Sequence, residues 1–153
     1  MIFKEVKGDL FKLDLDKWTL AHCISADVTA TKNMNKGIAK IFRNKYPKMA
    51  KHISPHLETG KAIRYQVGNH IIYNLVSKDK VWQKAKGNYK EIYYKNLRQA
   101  LEDLMLQMIS KGETHLAMPR IASGLDGGNW NIISKYIIKI FENTDVEIQI
   151  RYL

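Results

Sequence analysis

Cysteine is almost missing from this chain: Cys23 stands alone among 153 residues. A single thiol excludes an internal disulfide and fits a reducing compartment, so a cytoplasmic setting is expected. No apolar run approaches the roughly 20 residues that a membrane span needs. The start, Met1-Ile2-Phe3-Lys4-Glu5, carries charge at once and lacks an apolar core, so no secretion signal is expected. Metal-ligand spacing is missing as well. His52, His56 and His70 have no cysteine or carboxylate cluster beside them, so neither a metal nor a cofactor is predicted. No repeat, low-complexity tract or linker interrupts the chain. One domain over 1–153, acting as a monomer, is the expectation, and it is long enough to bury a core without staples.

Negative charge is the other shortage. Lys and Arg number 25 against 15 Asp and Glu, a net charge of +10. That balance favours a polyanionic partner, nucleic acid above all, and is also met in proteins with no such role.

What is present alternates. Ile2, Phe3 and Val6 start a strand that runs into Gly8-Asp9-Leu10-Phe11, and Thr19 to Ile24 is nearly all apolar, as in a strand covered on both faces. Met34-Asn35-Lys36-Gly37 opens a helix with Ile38, Ile41 and Phe42 as its apolar stripe, ended by Tyr46-Pro47, and Met49 to Gly60 reads as loop or loose helix. Ala62 to Val67 and Ile71 to Val76 bracket Gly68-Asn69-His70 as a hairpin whose second strand delivers Ser77-Lys78. Tyr89 to Ser110 is the longest helix, with Ile92, Leu97, Leu101, Leu104, Met105 and Met108 at near-helical spacing. Thr114 to Met118 is a central strand, Trp130 to Glu142 a last helix, and Val146 to Tyr152 alternates as a half-exposed strand. Strands and helices in this order predict an α/β domain: three layers, α/β/α, around a mixed sheet.

The stretch Ala117-Met118-Pro119-Arg120-Ile121-Ala122-Ser123-Gly124-Leu125-Asp126-Gly127-Gly128 organises the rest. A strand, a small-residue loop and a helix start make an anion cradle, since loop N–H groups and the helix dipole both favour phosphate. Asp126 does not fit a pure phosphate cradle. It is either a proton-transfer group or simply the cap of the next helix, the loop being then no more than a turn.

Several segments together resemble the macrodomains that bind ADP-ribose. They are Gly8-Asp9-Leu10-Phe11, Leu20-Ala21-His22-Cys23-Ile24-Ser25, Met34-Asn35-Lys36-Gly37-Ile38-Ala39, Leu75-Val76-Ser77-Lys78 and Met118 to Asp126. Within that family the chain looks most like the terminal ADP-ribose protein glycohydrolases, and it is similar to the antitoxin macrodomains that strip ADP-ribose from DNA. The resemblance makes Lys78 the catalytic lysine and Asp126 the catalytic aspartate. It sets Asp9 and Leu10 at the adenine end, Ser25 near the distal ribose, and Leu153 over the nucleoside side. Gly37 and Ile38 at the helix start, and Pro119, Ile121, Ala122, Ser123, Gly124 and Leu125 in the loop, complete the implied ADP-ribose contacts. The sequence departs from the family pattern at Asn35, where a small residue is common, and at Ala122 and Ser123, where glycine and cysteine are familiar.

The resemblance implies an ADP-ribosyl hydrolase acting on protein Glu/Asp esters, O-acetyl-ADP-ribose or ADP-ribosylated DNA. A lysine amine can attack the anomeric carbon and hold the opened sugar as a Schiff base. An ordinary lysine is almost fully charged at neutral pH and must first lose a proton; Asp126 would carry it. Two other functions share the pocket, a non-catalytic ADP-ribose reader and a phosphatase for ADP-ribose-1″-phosphate. Lys78, Lys80, Lys84 and Lys86 with Trp82 among them would suit single-stranded DNA, so ADP-ribosylated single-stranded DNA is an expected partner. His22 and Cys23, in an apolar strand, are expected to be packed and inert.

Overall fold

The computed structural model describes all residues, 1–153. Six strands form one sheet: β1 (Ile2–Lys7), β2 (Thr19–Ser25), β3 (Ala62–Val67), β4 (His70–Lys78), β5 (His115–Met118) and β6 (Glu147–Tyr152). Their order is β1-β6-β5-β2-β4-β3. All neighbours run parallel except β3 and β4, the hairpin. The helices are α1 (Gly37–Lys45), α2 (Met49–Ile53), α3 (Lys90–Lys111) and α4 (Trp130–Phe141). None is long and apolar enough to cross a membrane.

Two cores sandwich the sheet. One, of 21 buried residues, joins α3 and α4 to one face, through Leu97, Leu101, Leu104, Ile133, Ile137 and Phe141 among others. The second, of 15, joins α1 and α2 to the opposite face through Phe42, Met49 and Ile53. This is a three-layer α/β/α fold with a mixed central sheet, as the order of strands and helices predicts.

Four details differ from or sharpen the sequence expectation. Met49 to Gly60 contains a true helix, α2, followed by a 3-10 turn at Ser54–His56. His70 belongs to β4, pairing with Val67, so the hairpin turn is shorter than expected. Ile92, assigned to the apolar stripe of α3, is 51% exposed; Tyr93 and Tyr94 take the inward positions instead. Ile41 in α1 is likewise exposed, leaving Phe42 as the one fully buried anchor of that helix. In both helices the tertiary contact favours the large aromatic over its aliphatic neighbour, which periodicity alone cannot rank.

The strand order matters for the site. β5, β2 and β4 are adjacent and parallel in the middle of the sheet, so their carboxyl ends open on one edge. In open α/β sheets the ligand crevice lies at such an edge. The β2–β4 register shifts between Ile24 and Ser25, so that Ile24 faces Val76 while Ser25 faces Lys78. A bulge of this kind re-aims the side chains at a strand's end, and here it falls immediately before Lys78.

Candidate active site

A cleft of about 720 Å³ opens at the carboxyl ends of β2, β4 and β5. It gathers Ser25 from β2, Gly37 and Ile38 from the start of α1, Lys78 from β4, and Pro119, Ile121, Ala122, Gly124, Leu125 and Asp126 from the loop after β5. Asp126 is the sole carboxylate on its wall, against Lys36, Lys78, Lys84 and Arg120. That excess of cations favours an anionic ligand. Four expected contacts do not line the cleft. Asp9 caps a 3-10 turn by accepting from Phe11 N–H (2.9 Å), and Leu10 is buried in the α1-side core. The Ser123 hydroxyl turns back to donate to the Arg120 carbonyl (2.6 Å), and Leu153 is 93% exposed.

The loop after β5 is tightly wound. Ala122 has φ of +60°, a left-handed conformation that costs a non-glycine residue about 1–2 kcal/mol. Asn33 and Met34, at +66° and +55°, are the other non-glycines in that region of backbone. All three border the cleft, and strain gathered at one place is characteristic of functional sites. Gly128 closes the loop: its N–H donates to the Ala122 carbonyl (2.8 Å). A Cβ on Gly128 would stand 2.6 Å from that carbonyl oxygen, so no side chain fits. The helix cap that follows is Asn129, whose Oδ1 accepts from the N–H groups of Asn131 and Ile132. Asp126 is therefore not the cap, and the reading of the loop as a mere turn ending in an aspartate cap is set aside.

Asp126 instead meets Lys78. The Lys78 Nζ donates to Asp126 Oδ1 at 2.6 Å, to the Val81 carbonyl at 2.8 Å and to the Gln83 carbonyl at 3.0 Å. Three acceptors match the three hydrogens of an ammonium. The lysine is only 6% exposed, and the Asp126 side chain 14%. Desolvating two charges is costly unless both are paired and hydrogen-bonded, as they are here. The turn that cages Lys78 is itself held. Val81 N–H donates to Asp27 Oδ2 (3.1 Å), while Asp27 Oδ1 accepts from the Ser25 hydroxyl (2.5 Å). Ala85 N–H donates to the Asp126 carbonyl (2.9 Å), and Lys84 Nζ to the Leu125 carbonyl (2.7 Å).

These contacts recast the basic run. Lys84 is tied to the loop after β5, and the stem of Lys86 lies against Gly127. Trp82 is 72% exposed on the cleft rim, not packed into the core. The remaining expectations for the strand β2 hold. His22 is buried, its Nε2 bonded to Asn74 Oδ1 at 2.6 Å. Cys23 lies at the cleft floor with its thiol pushed up to about 12, first by burial and then by the charge of Asp126, so it is kept as an unreactive thiol.

Sequence reasoning missed Tyr93, whose hydroxyl donates to Asp126 Oδ2 at 2.5 Å. It also missed Asp27, the brace behind the Lys78 turn. Adjacent tyrosines on an amphipathic helix read as core, and only the fold brings residue 93 to residue 126.

No protein-family model matches the sequence. The human "ADP-ribose glycohydrolase OARD1" is 33% identical over 145 residues, covering 95% of this chain and 88% of the human protein. Among solved structures, the DarG macrodomain of Thermus aquaticus superposes with a TM-score of 0.82 over 99% of both chains at 17% identity. DarTG of Thermosipho africanus, solved in complex with ADP-ribose, gives 0.75 at 19% identity over 94% of this chain and 39% of its own. Similarity over nearly the full length of the human enzyme, on this fold and with this cleft, shows that the chain belongs to the macrodomain family and is one of its hydrolases.

Proposed function

We propose that this hydrolase removes ADP-ribose from modified targets, with Lys78 as nucleophile and Asp126 as proton carrier. The observation that carries the reading is the buried Lys78–Asp126 pair, 2.6 Å apart, on the wall of an otherwise cationic cleft. A reader module needs neither group, and a desolvated charge pair is costly to keep without use. The glycohydrolase relative and the ADP-ribose complex of the Thermosipho structure support the choice of ligand.

The chemistry follows from the pair. Asp126 Oδ1 takes a proton from Lys78, and the free amine attacks the anomeric carbon of the distal ribose. As the N–C bond forms, the bond from that carbon to the leaving atom breaks, and Asp126 returns its proton to that atom, the oxygen of an ester or the nitrogen of a base. A proton passes from Nζ to the ring oxygen as the ring C–O bond breaks, and the ring opens to a Schiff base on Lys78. Water then adds to the imine carbon and expels the amine, releasing ADP-ribose. The loop from Ala122 to Leu125 and the uncapped start of α1 supply backbone N–H groups for the diphosphate.

ADP-ribosylated single-stranded DNA is proposed as a substrate alongside protein Glu/Asp esters. The net charge of +10 and the exposed Trp82 at the rim support it. Incubation with a modified glutamyl peptide, O-acetyl-ADP-ribose carrying the acetyl group on the anomeric oxygen, modified single-stranded DNA and ADP-ribose-1″-phosphate tests the reading. Release of ADP-ribose from the first three is expected. Turnover of the phosphate alone would make the protein a phosphatase, and binding without turnover a reader.

A further inference from the structure

Tyr93 sits in the first turn of α3 with its ring fully buried, boxed edge-on by Tyr89 and Tyr94 at 6.5 and 6.2 Å. Its hydroxyl has two neighbours, Asp126 Oδ2 at 2.5 Å and Ser77 Oγ at 3.4 Å. The phenol carries one hydrogen. A carboxylate only accepts, so that hydrogen goes to Asp126, and the Ser77 hydroxyl must then be the donor to Tyr93. A directed chain results: Ser77 to Tyr93 to Asp126 Oδ2. Lys78, the neighbour of Ser77 on β4, occupies Oδ1 from the other side. Two consecutive residues of one strand thus grip the same carboxylate, one directly and one through a tyrosine of α3.

We propose that Tyr93 is a positioning residue for hydrolysis: by engaging Oδ2 it fixes the rotamer of Asp126 and leaves Oδ1 as the oxygen that trades a proton with Lys78. The inference rests on the role given to Asp126 above. A donated hydrogen bond favours the ionised carboxylate over the acid, so its loss makes the carboxylate easier to protonate. The phenol itself stays protonated over the working range, because burial, reinforced by the charge of Asp126, raises its pKa far above the usual tyrosine value. The charged and titratable groups around the pair are Lys78 from β4, Cys23 from β2, Tyr89 and Tyr94 from α3, and Lys84 and Lys86 from the turn that laces the loop.

The test is the pH–rate profile of Tyr93→Phe on O-acetyl-ADP-ribose, beside wild type and Asp126→Asn. The phenylalanine fills the same space and deletes the donor. It is expected to lower kcat roughly 10- to 100-fold, as for a hydrogen bond to a charged group, with KM within twofold. The acid limb should move up by about one pH unit. A superimposable profile overturns the inference, and so does a fall in kcat with an unmoved limb, since packing alone would do that. Should Tyr93→Phe not fold, 3-fluorotyrosine placed at position 93 alone decides. As a stronger donor it should move the limb to lower pH, and an unmoved limb refutes the proposal. If Asp126→Asn keeps full activity, the reading of Asp126 fails first; if it is inactive while both Tyr93 variants match wild type, only this inference fails.

Discussion

Strand β4 carries two buried polar clusters four residues apart, and they are built on opposite principles. Near its middle, Asn74 accepts from His22 Nε2 and donates to the Ile63 carbonyl (3.2 Å), with His22 stacked on Phe42 at 3.9 Å between ring centres. Since Asn74 Oδ1 can only accept, Nε2 bears the hydrogen and Nδ1, which has no partner, is the bare nitrogen. Burial pushes the histidine down to about 4, outweighing the Asn74 bond that works the other way. At the carboxyl end of the same strand, Lys78 and Asp126 face each other across a cleft wall with every ammonium hydrogen matched. The first cluster is shut inside the sheet and kept neutral; the second lines the cleft, where the proposed mechanism asks it to move a proton. Position along the strand, more than residue type, separates a structural polar group from a chemical one.

The comparison breaks most visibly at Asp126. Asp126→Ala should cost about 10²–10⁴-fold in kcat, the usual worth of general acid–base help, while calorimetry still shows ADP-ribose binding. Loss of binding together with activity would mean that the carboxylate holds the loop instead. The matching change in the neutral cluster should do the reverse. Folded His22 binds its proton only below about 4, against an ordinary value of 6.5, so between those values the unfolded chain carries more protons. Stability therefore rises with pH across that window, and falls by about 3 kcal/mol as pH drops through it. Denaturant melts of His22→Gln against wild type should show this slope flattened, with kcat at neutral pH within twofold. An equal slope in both proteins would place the acid sensitivity elsewhere.

Two smaller effects sharpen the contrast between the laced side of the cleft, at Lys78 and Asp126, and the rest of it. Replacing the exposed Lys80 and Lys86 with Gln should lower the salt slope for processing of modified single-stranded DNA by about 0.7 per lysine, sparing O-acetyl-ADP-ribose. Lys84 is left alone because its ammonium holds the Leu125 carbonyl. An unchanged slope would show that the basic turn does not follow a nucleic acid. Ala122→Gly relieves a left-handed alanine at a cost in unfolded-chain entropy of similar size. Its melting temperature should barely move, and removing the Cβ should tighten ADP-ribose binding roughly two- to fivefold, since the backbone can come closer to phosphate. Weaker binding would show that the methyl group makes a contact.

Much of this was legible in the sequence. The apolar run of Leu20 to Ile24, the alternation after Val146 and the small-residue loop before Trp130 each matched its element because local pattern decided it. His22 was legible as a packed residue for the same reason. Tyr93 was not, because a hydroxyl inside an apolar stripe has meaning only through a partner 33 residues away. Nor was the tethering of Lys84, whose acceptor is 41 residues on. The φ of Ala122 escaped because alanine seldom adopts it. Asn129 escaped because Asp126 was the one candidate cap, and only the backbone path shows that the Asn129 side chain meets the free N–H groups of the helix start.

The central claim is that Lys78 bonds to the sugar. Sodium borohydride reduces a Schiff base to a stable amine, so it should convert wild-type protein turning over an ADP-ribosylated peptide into a covalent adduct. Intact-mass measurement should show one ADP-ribose per chain, and peptide mapping should place it on Lys78. Lys78→Ala should give no adduct and no release of ADP-ribose while still binding the free nucleotide. Full activity in Lys78→Ala, or an adduct mapped to another lysine, would contradict the account and leave direct attack by water, or a different nucleophile, in its place.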